Sequence, residues 1–281
     1  MAEEGQPSTA SQGGSRAGLE LGLALLAMGL IVSPVLIGRG IDVPDDFLYY
    51  DVATWEWLRH ALSRGVSPWF IPGKLGGVSL VGDTVAMAPF YPPGWVLALL
   101  PVSIFLPLVW LAHALATVLA GRWCAGMFGA SSRAATLAGL ALAAGPNGVI
   151  QIMDGRSGGL PVGLWIPVVI GCLEQLAQAD SRRSRAIWSA LAGLALAMIL
   201  LGGHTRLAAA ACAVTGLFCL VRRVPLAWAL LAGALGVVGG SPAVLPFMLE
   251  AGQAASSVGR LAALGGAVDP VLTLSDLPGL L

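Results

Sequence analysis

Stretches of about twenty residues with almost no charge recur along this chain, and each is long enough for a helix to cross the hydrocarbon core of a bilayer. They fall near residues 18–38, 102–122, 133–152, 159–177, 186–203, 205–221 and 226–248. Only 11% of the 281 residues are charged, against about 25% in a typical soluble domain. The expected fold is an all-α polytopic membrane protein with about seven transmembrane helices. Formal net charge is zero and no basic tract interrupts the sequence, which argues against a nucleic-acid partner. Membrane lipids are the expected surroundings.

Arginine placement orients the spans, because short cytoplasmic loops carry the excess of Lys and Arg. Arg122 and Arg133 flank one connection, Arg182, Arg183 and Arg185 crowd the next, and Arg222 and Arg223 mark a third. The alternate connections hold only Arg156 and Arg206. The amino terminus is therefore expected in the cytoplasm, with residues 1–16 a disordered tail rich in Glu, Ser, Gly and Gln. Leu21 to Ile37 lacks a basic lead and a small-x-small cleavage site, so it reads as a retained first span. Residues 17–260 form the transmembrane module, the long connection 39–94 faces outward, and 261–281 is an outer carboxyl segment.

That long connection concentrates the charge the spans lack. Asp42, Asp45, Asp46 and Asp51 lie within ten positions of one another, directly after the first span. Acids at a membrane surface mark a candidate site, because holding them near lipid costs free energy. The following Phe47–Ser63 stretch puts Leu48, Val52, Trp55, Leu58 and Leu62 on one side of a helix, interrupted by Asp51 and Arg59. With Tyr49, Tyr50, Trp55, Trp57 and Trp69 suited to the headgroup layer, a juxtamembrane helix lying on the outer surface is expected. Gly65 to Gly94, punctuated by Pro68, Pro72, Pro89, Pro92 and Pro93, reads as an ordered irregular loop.

Other chemistry-bearing residues are sparse. Cys124, Cys172, Cys212 and Cys219 sit in or beside apolar spans with no metal-site spacing, and read as small apolar filler. His113 is expected to bond a neighbouring helix as a neutral imidazole. Glu174 falls near the cytoplasmic end of its span. Ala138-Gly139-Leu140-Ala141 and Ala192-Gly193-Leu194-Ala195 supply the small residues that let helices approach closely.

The order of these features resembles the amino-terminal module of the GT-C glycosyltransferases, and within them the bacterial YfhO-like membrane proteins. Asp45-Asp46 followed by Tyr49-Tyr50, then Arg64-Gly65-Val66-Ser67-Pro68-Trp69, Gly76-Gly77-Val78-Ser79-Leu80 and Phe90-Tyr91-Pro92 carry the likeness. Gly203-His204, and Leu245-Pro246 with Glu250, continue it. The family usually follows Gly-His with Pro-Gln, where this chain has Thr205-Arg206. Such proteins generally continue with further spans, so a chain ending at Leu281 reads as a short form or a fragment.

The resemblance implies a glycosyltransferase of the bacterial inner membrane that moves a sugar from a polyprenyl-phosphate donor to an acceptor on the outer face. Such a transfer needs a base for the acceptor hydroxyl, and a carboxylate raised by burial or by a second carboxylate is better matched to that task. Asp46 takes that role, with Asp45 orienting the acceptor or a divalent ion. Asp42 lies one helical turn away, so Asp42, Asp45 and Asp46 are the candidate ligands of a hard cation such as Mg or Mn. The leaving phosphate needs positive partners. Arg206 is the first choice, followed by His204, Lys74 and Arg156, with Tyr91 and Trp69 completing the substrate-binding set. Against these stand plainer roles: Arg206 snorkelling to headgroups, His204 capping a helix, Arg156 pairing with Asp154. Two rival functions remain open, a transporter or flippase of a lipid-linked substrate, and an inactive scaffold that binds lipid-linked sugar.

Overall fold

The computed structural model describes residues 10–36, 52–67, 70–71, 78–79, 90–97, 99–145, 158–202 and 204–263. These are almost wholly helical: α1 (Ala10–Leu36), α2 (Ala53–Arg64), α3 (Pro92–Leu97), α4 (Val102–Met127), α5 (Ser132–Ala144), α6 (Leu160–Gln178), α7 (Arg182–Leu201), α8 (Thr205–Val221) and α9 (Leu226–Ala263). The extended pairing among the described residues is one antiparallel contact, β1 (Phe70–Ile71) with β2 (Val78–Ser79), in the register Phe70 to Ser79.

Five helices, α1, α4, α6, α7 and α9, are long and apolar enough to cross a membrane. Two apolar helices are shorter: α5 has 13 residues and α8 has 17, which at 1.5 Å per residue gives roughly 20 and 25 Å. The outer surfaces agree with a lipid environment. Leu19, Leu23, Leu26 and Leu30 of α1, Leu217, Leu220 and Val221 of α8, and Val237, Val238, Leu245, Met248 and Leu249 of α9 are all exposed. Apolar surface on that scale is not left in water by a soluble monomer. These are the features of a membrane protein.

Helix limits follow local chemistry. Ser131 and Ser181 accept from Ala134 N (3.4 Å) and Ser184 N (3.1 Å), capping α5 and α7. Pro101 precedes α4 and Pro161 falls in the first turn of α6, where a missing N–H costs nothing. α2 ends on Gly65 in the left-handed region (φ 63°), with Val66 N bonded to Ala61 O and Gly65 N to Leu62 O, a Schellman cap. Several expected limits move. α1 begins at Ala10, inside the stretch expected to be a disordered tail. α5 stops at Ala144 rather than near 152, because Gly145 turns extended. α9 runs on through Pro242 and Pro246 to Ala263, past the expected start of a separate carboxyl segment at 261.

Packing rests on the small residues. A Cβ on Gly121 would stand 2.8 Å from Gly139 Cα, so α4 and α5 meet backbone to backbone. On the α7–α9 seam, Gly193 faces the Ala232 carbonyl, while Gly236 and Gly240 of α9 receive Leu196 and Leu200. Spacing of four residues through Ala232, Gly236 and Gly240 keeps one small face along α9. The core divides in two. One cluster gathers Met28, Val32, Trp55, Leu58, Tyr91, Phe105, Val109 and Leu201, and the other Val169, Leu173, Leu176, Ala195, Ile199 and Ala208.

Candidate functional site

The two ends of the bundle differ in chemistry. At one end arginines make the contacts between elements. Arg122 of α4 donates to Thr136 Oγ1 (2.9 Å) and Ser132 Oγ (3.3 Å) of α5 and to the Ala17 carbonyl of α1 (3.4 Å). Arg133 of α5 pairs with Glu20 of α1 at 2.5 Å. Arg222, after α8, donates to both oxygens of Glu174 on α6, its Nε lying 2.7 Å from Oε2. Gln178 adds a third donor to that carboxylate at 2.6 Å. Glu174 is almost fully buried, so the pair and the amide are what permit its charge there.

At the opposite end the long connection between α1 and α4 docks on the bundle. α2 turns Trp55, Leu58 and Ala61 inward, all buried, and Trp55 lies against Phe105 of α4 with ring centroids 4.5 Å apart. Val52 and Leu62 pack on the same cluster. The sequence foresaw the apolar side of this helix, yet that side is covered by protein and not turned to the headgroup layer. Glu56 and Arg59, paired at 2.8 Å, take the other side.

Tyr91 is the second anchor of that connection. Its ring is fully buried, its oxygen accepts from Trp165 Nε1 of α6 at 2.8 Å, and it lies 3.1 Å from His113 Nε2 of α4. His113 Nδ1 stands 2.8 Å from the Val109 carbonyl. A carbonyl only accepts, so Nδ1 carries the ring proton and Nε2 receives the Tyr91 O–H. Every polar atom of the trio is thereby used, and proton positions run one way from Trp165 through Tyr91 and His113 to Val109. Burial pushes the Tyr91 phenol up to about 12, with the Trp165 N–H pulling weakly the other way. Tyr91, expected to touch substrate, has its hydroxyl occupied by the fold instead. His113 bonds the connection rather than another helix.

His204 caps α8, its Nδ1 accepting from Leu207 N at 3.5 Å. Arg206 lies exposed in the first turn of α8, where a cation gains nothing from the helix dipole. Asp42, Asp45, Asp46, Trp69, Lys74 and Arg156, with Asp154 and Gly203, lie outside the described residues. No group of three His, Cys, Asp or Glu able to hold a metal occurs among the described residues. Two buried polar atoms of α2, Thr54 Oγ1 and Trp55 Nε1, have no hydrogen-bond partner among the described residues. The Glu174–Arg222 pair, 48 residues apart, was not foreseen from the sequence, since nothing local links those positions.

No family model, no curated protein and no solved structure matches this chain.

Proposed function

We propose that the chain is a membrane glycosyltransferase of GT-C type, which moves a sugar from a polyprenyl-phosphate donor to an acceptor on the face opposite the arginine-rich end. The observation that supports it is the double docking of the long connection, through α2 at Trp55 and through Tyr91 at His113 and Trp165. A connection that spends buried aromatic residues on fastening itself to one end of a bundle is suited to hold reacting groups still, which catalysis by positioning requires. Asp42, Asp45 and Asp46 belong to that connection, between α1 and α2.

In this reading α1, α4, α5, α6, α7, α8 and α9 are seven crossings, α5 and α8 being the short ones. The arginine-rich end is cytoplasmic. Asp46 is the base that takes the acceptor proton, Asp45 orients the acceptor, and Arg206 with His204, Lys74 and Arg156 meets the donor phosphate. Trp69 lines the sugar. Tyr91 acts by holding the connection, not by touching the donor. A divalent ion held by Asp42, Asp45 and Asp46 would lend positive charge to the leaving phosphate.

The test uses the full chain in proteoliposomes with undecaprenyl-phosphate-linked glucose, mannose and N-acetylglucosamine as donors. Asp46→Asn is expected to slow transfer by roughly 10²–10⁴-fold, the usual worth of a positioned base, with donor retention unchanged. Equal turnover by the Asp45→Asn, Asp46→Asn and unaltered chains ends the proposal. Movement of intact donor across the bilayer without transfer would establish the transporter reading in its place, and donor retention with neither activity the scaffold reading.

A further inference from the structure

A groove of about 330 Å³ opens between α1 and α5 at the arginine-rich end, lined by Glu20, Leu23, Ala24, Arg133, Thr136, Leu137 and Leu140. That volume falls in the range of small-molecule sites, about 300–1,000 Å³. The lining is almost entirely apolar. Its one hydroxyl, on Thr136, is already engaged by Arg122 and by the Ser132 carbonyl, so the groove offers a ligand no hydrogen bond along its length.

The mouth is different. Arg133 keeps 74% of its side chain exposed despite its contact with Glu20. Arg16 lies exposed one turn before Glu20 on the same side of α1. Arg122 stands behind them, bridging α4, α1 and α5. Among the described residues, three guanidiniums against one carboxylate leave the rim positive. An apolar slot beneath a positive rim, on the end of a membrane bundle, complements a molecule with an acyl tail and an anionic head.

We propose that this groove seats one acyl chain of an anionic phospholipid, with its phosphate against Arg133 and Arg16. The inference is independent of the glycosyltransferase reading, since it concerns the other end of the molecule. The lipid extends the packing of α1, whose buried contacts with the bundle run through Ala24, Met28 and Val32 while most of its apolar surface stays exposed.

The experiment is native mass spectrometry of the full chain, delipidated in detergent and offered palmitoyl-oleoyl phosphatidylglycerol, the phosphatidylcholine of the same chains, or glycerol phosphate. One phosphatidylglycerol per chain is expected to be retained at least fivefold better than phosphatidylcholine, with no retention of glycerol phosphate. Arg16→Gln with Arg133→Gln should remove the preference, and Leu137→Trp, placed on an exposed groove position, should lower retention of both lipids. Circular dichroism checks that each variant is folded. Equal retention of the two lipids by the unaltered chain, or a preference that survives the double substitution, overturns the proposal. Retention of glycerol phosphate would assign the rim to a soluble anion instead.

Discussion

Arg222, in the turn after α8, holds both carboxylate oxygens of Glu174, which is buried on α6. The two helices are tied at one end by a contact whose halves are unequal: the guanidinium is 44% exposed and the carboxylate 2%. Glu174 in turn keeps the guanidinium charged, raising its pKa further through hydrogen bonding and attraction.

That inequality sets the order of stabilities. Arg222→Gln leaves a buried carboxylate with Gln178 as its one donor among the described residues, whereas Glu174→Gln leaves a guanidinium that water can reach. The melting temperature in detergent should fall by several degrees for Arg222→Gln and by less for Glu174→Gln. The double variant should recover part of the loss. An Arg222→Gln protein as stable as the parent would mean the pair contributes nothing.

Tyr91→Phe strands the Trp165 N–H and the acceptor nitrogen of His113 in a buried site, which costs about 1–3 kcal/mol. It also changes the response to alkali. The Tyr91 phenol, raised to about 12 by burial, binds its proton more tightly folded than unfolded, where phenols titrate near 10. Its contribution is therefore complete below about pH 10 and is lost as pH climbs toward 12, on the order of 2–3 kcal/mol in all. Melting followed between pH 9 and 12 should show that decline in the parent and less of it in Tyr91→Phe.

Glycines divide into those that touch and those that do not. Gly139→Ala drives a methyl into the backbone of α4 near Val118 and should cost about 1–3 kcal/mol or more. Gly216→Ala meets nothing within 4 Å on α8 and should stabilise that helix by up to about 1 kcal/mol. Chemical or thermal unfolding of the two variants separates them, and a Gly139→Ala protein as stable as the parent would show that α4 and α5 do not meet backbone to backbone at that point.

The turn from α8 to α9 carries Arg223 at φ 53° in a Schellman cap closed by Val224 N to Cys219 O (3.0 Å) and Arg223 N to Leu220 O (3.2 Å). Glycine fits that conformation without steric cost. Arg223→Gly should raise stability by roughly 1 kcal/mol, read from the unfolding midpoint. The analogous Gly65→Ala should lower it by a similar amount.

Topology is open to labelling. With Cys124, Cys172, Cys212 and Cys219 replaced, a cysteine at Ser63 on α2 should react with a membrane-impermeant maleimide from outside intact cells. A cysteine at Ser181, among the arginines before α7, should react only after the membrane is opened. The reverse pattern would invert the proposed orientation and put the acidic connection in the cytosol.

The apolar windows, the break after α2 at Gly65 and the small residues around Gly139 and Gly193 were legible, because each declares itself by composition or acts over one helix turn. α2 was visible as an amphipathic helix from Trp55 and Leu58. What covers that side was not, since protein and lipid interior present the same apolar demand to a leucine. Tyr91 was picked out by its motif, but the motif carries no record of Trp165 or His113, 74 and 22 residues away.

The chain's order of residues alone determined that it forms apolar helices fit for a bilayer, roughly where they lie, and which small residues let backbones meet. Tertiary structure decided that Arg222 belongs to Glu174, that Tyr91 is a fastening, and that a slot opens between α1 and α5. The physical reason is range: solvation and backbone geometry are settled within a few neighbouring residues, while the partner of a buried charge or hydroxyl is settled only when distant segments pack.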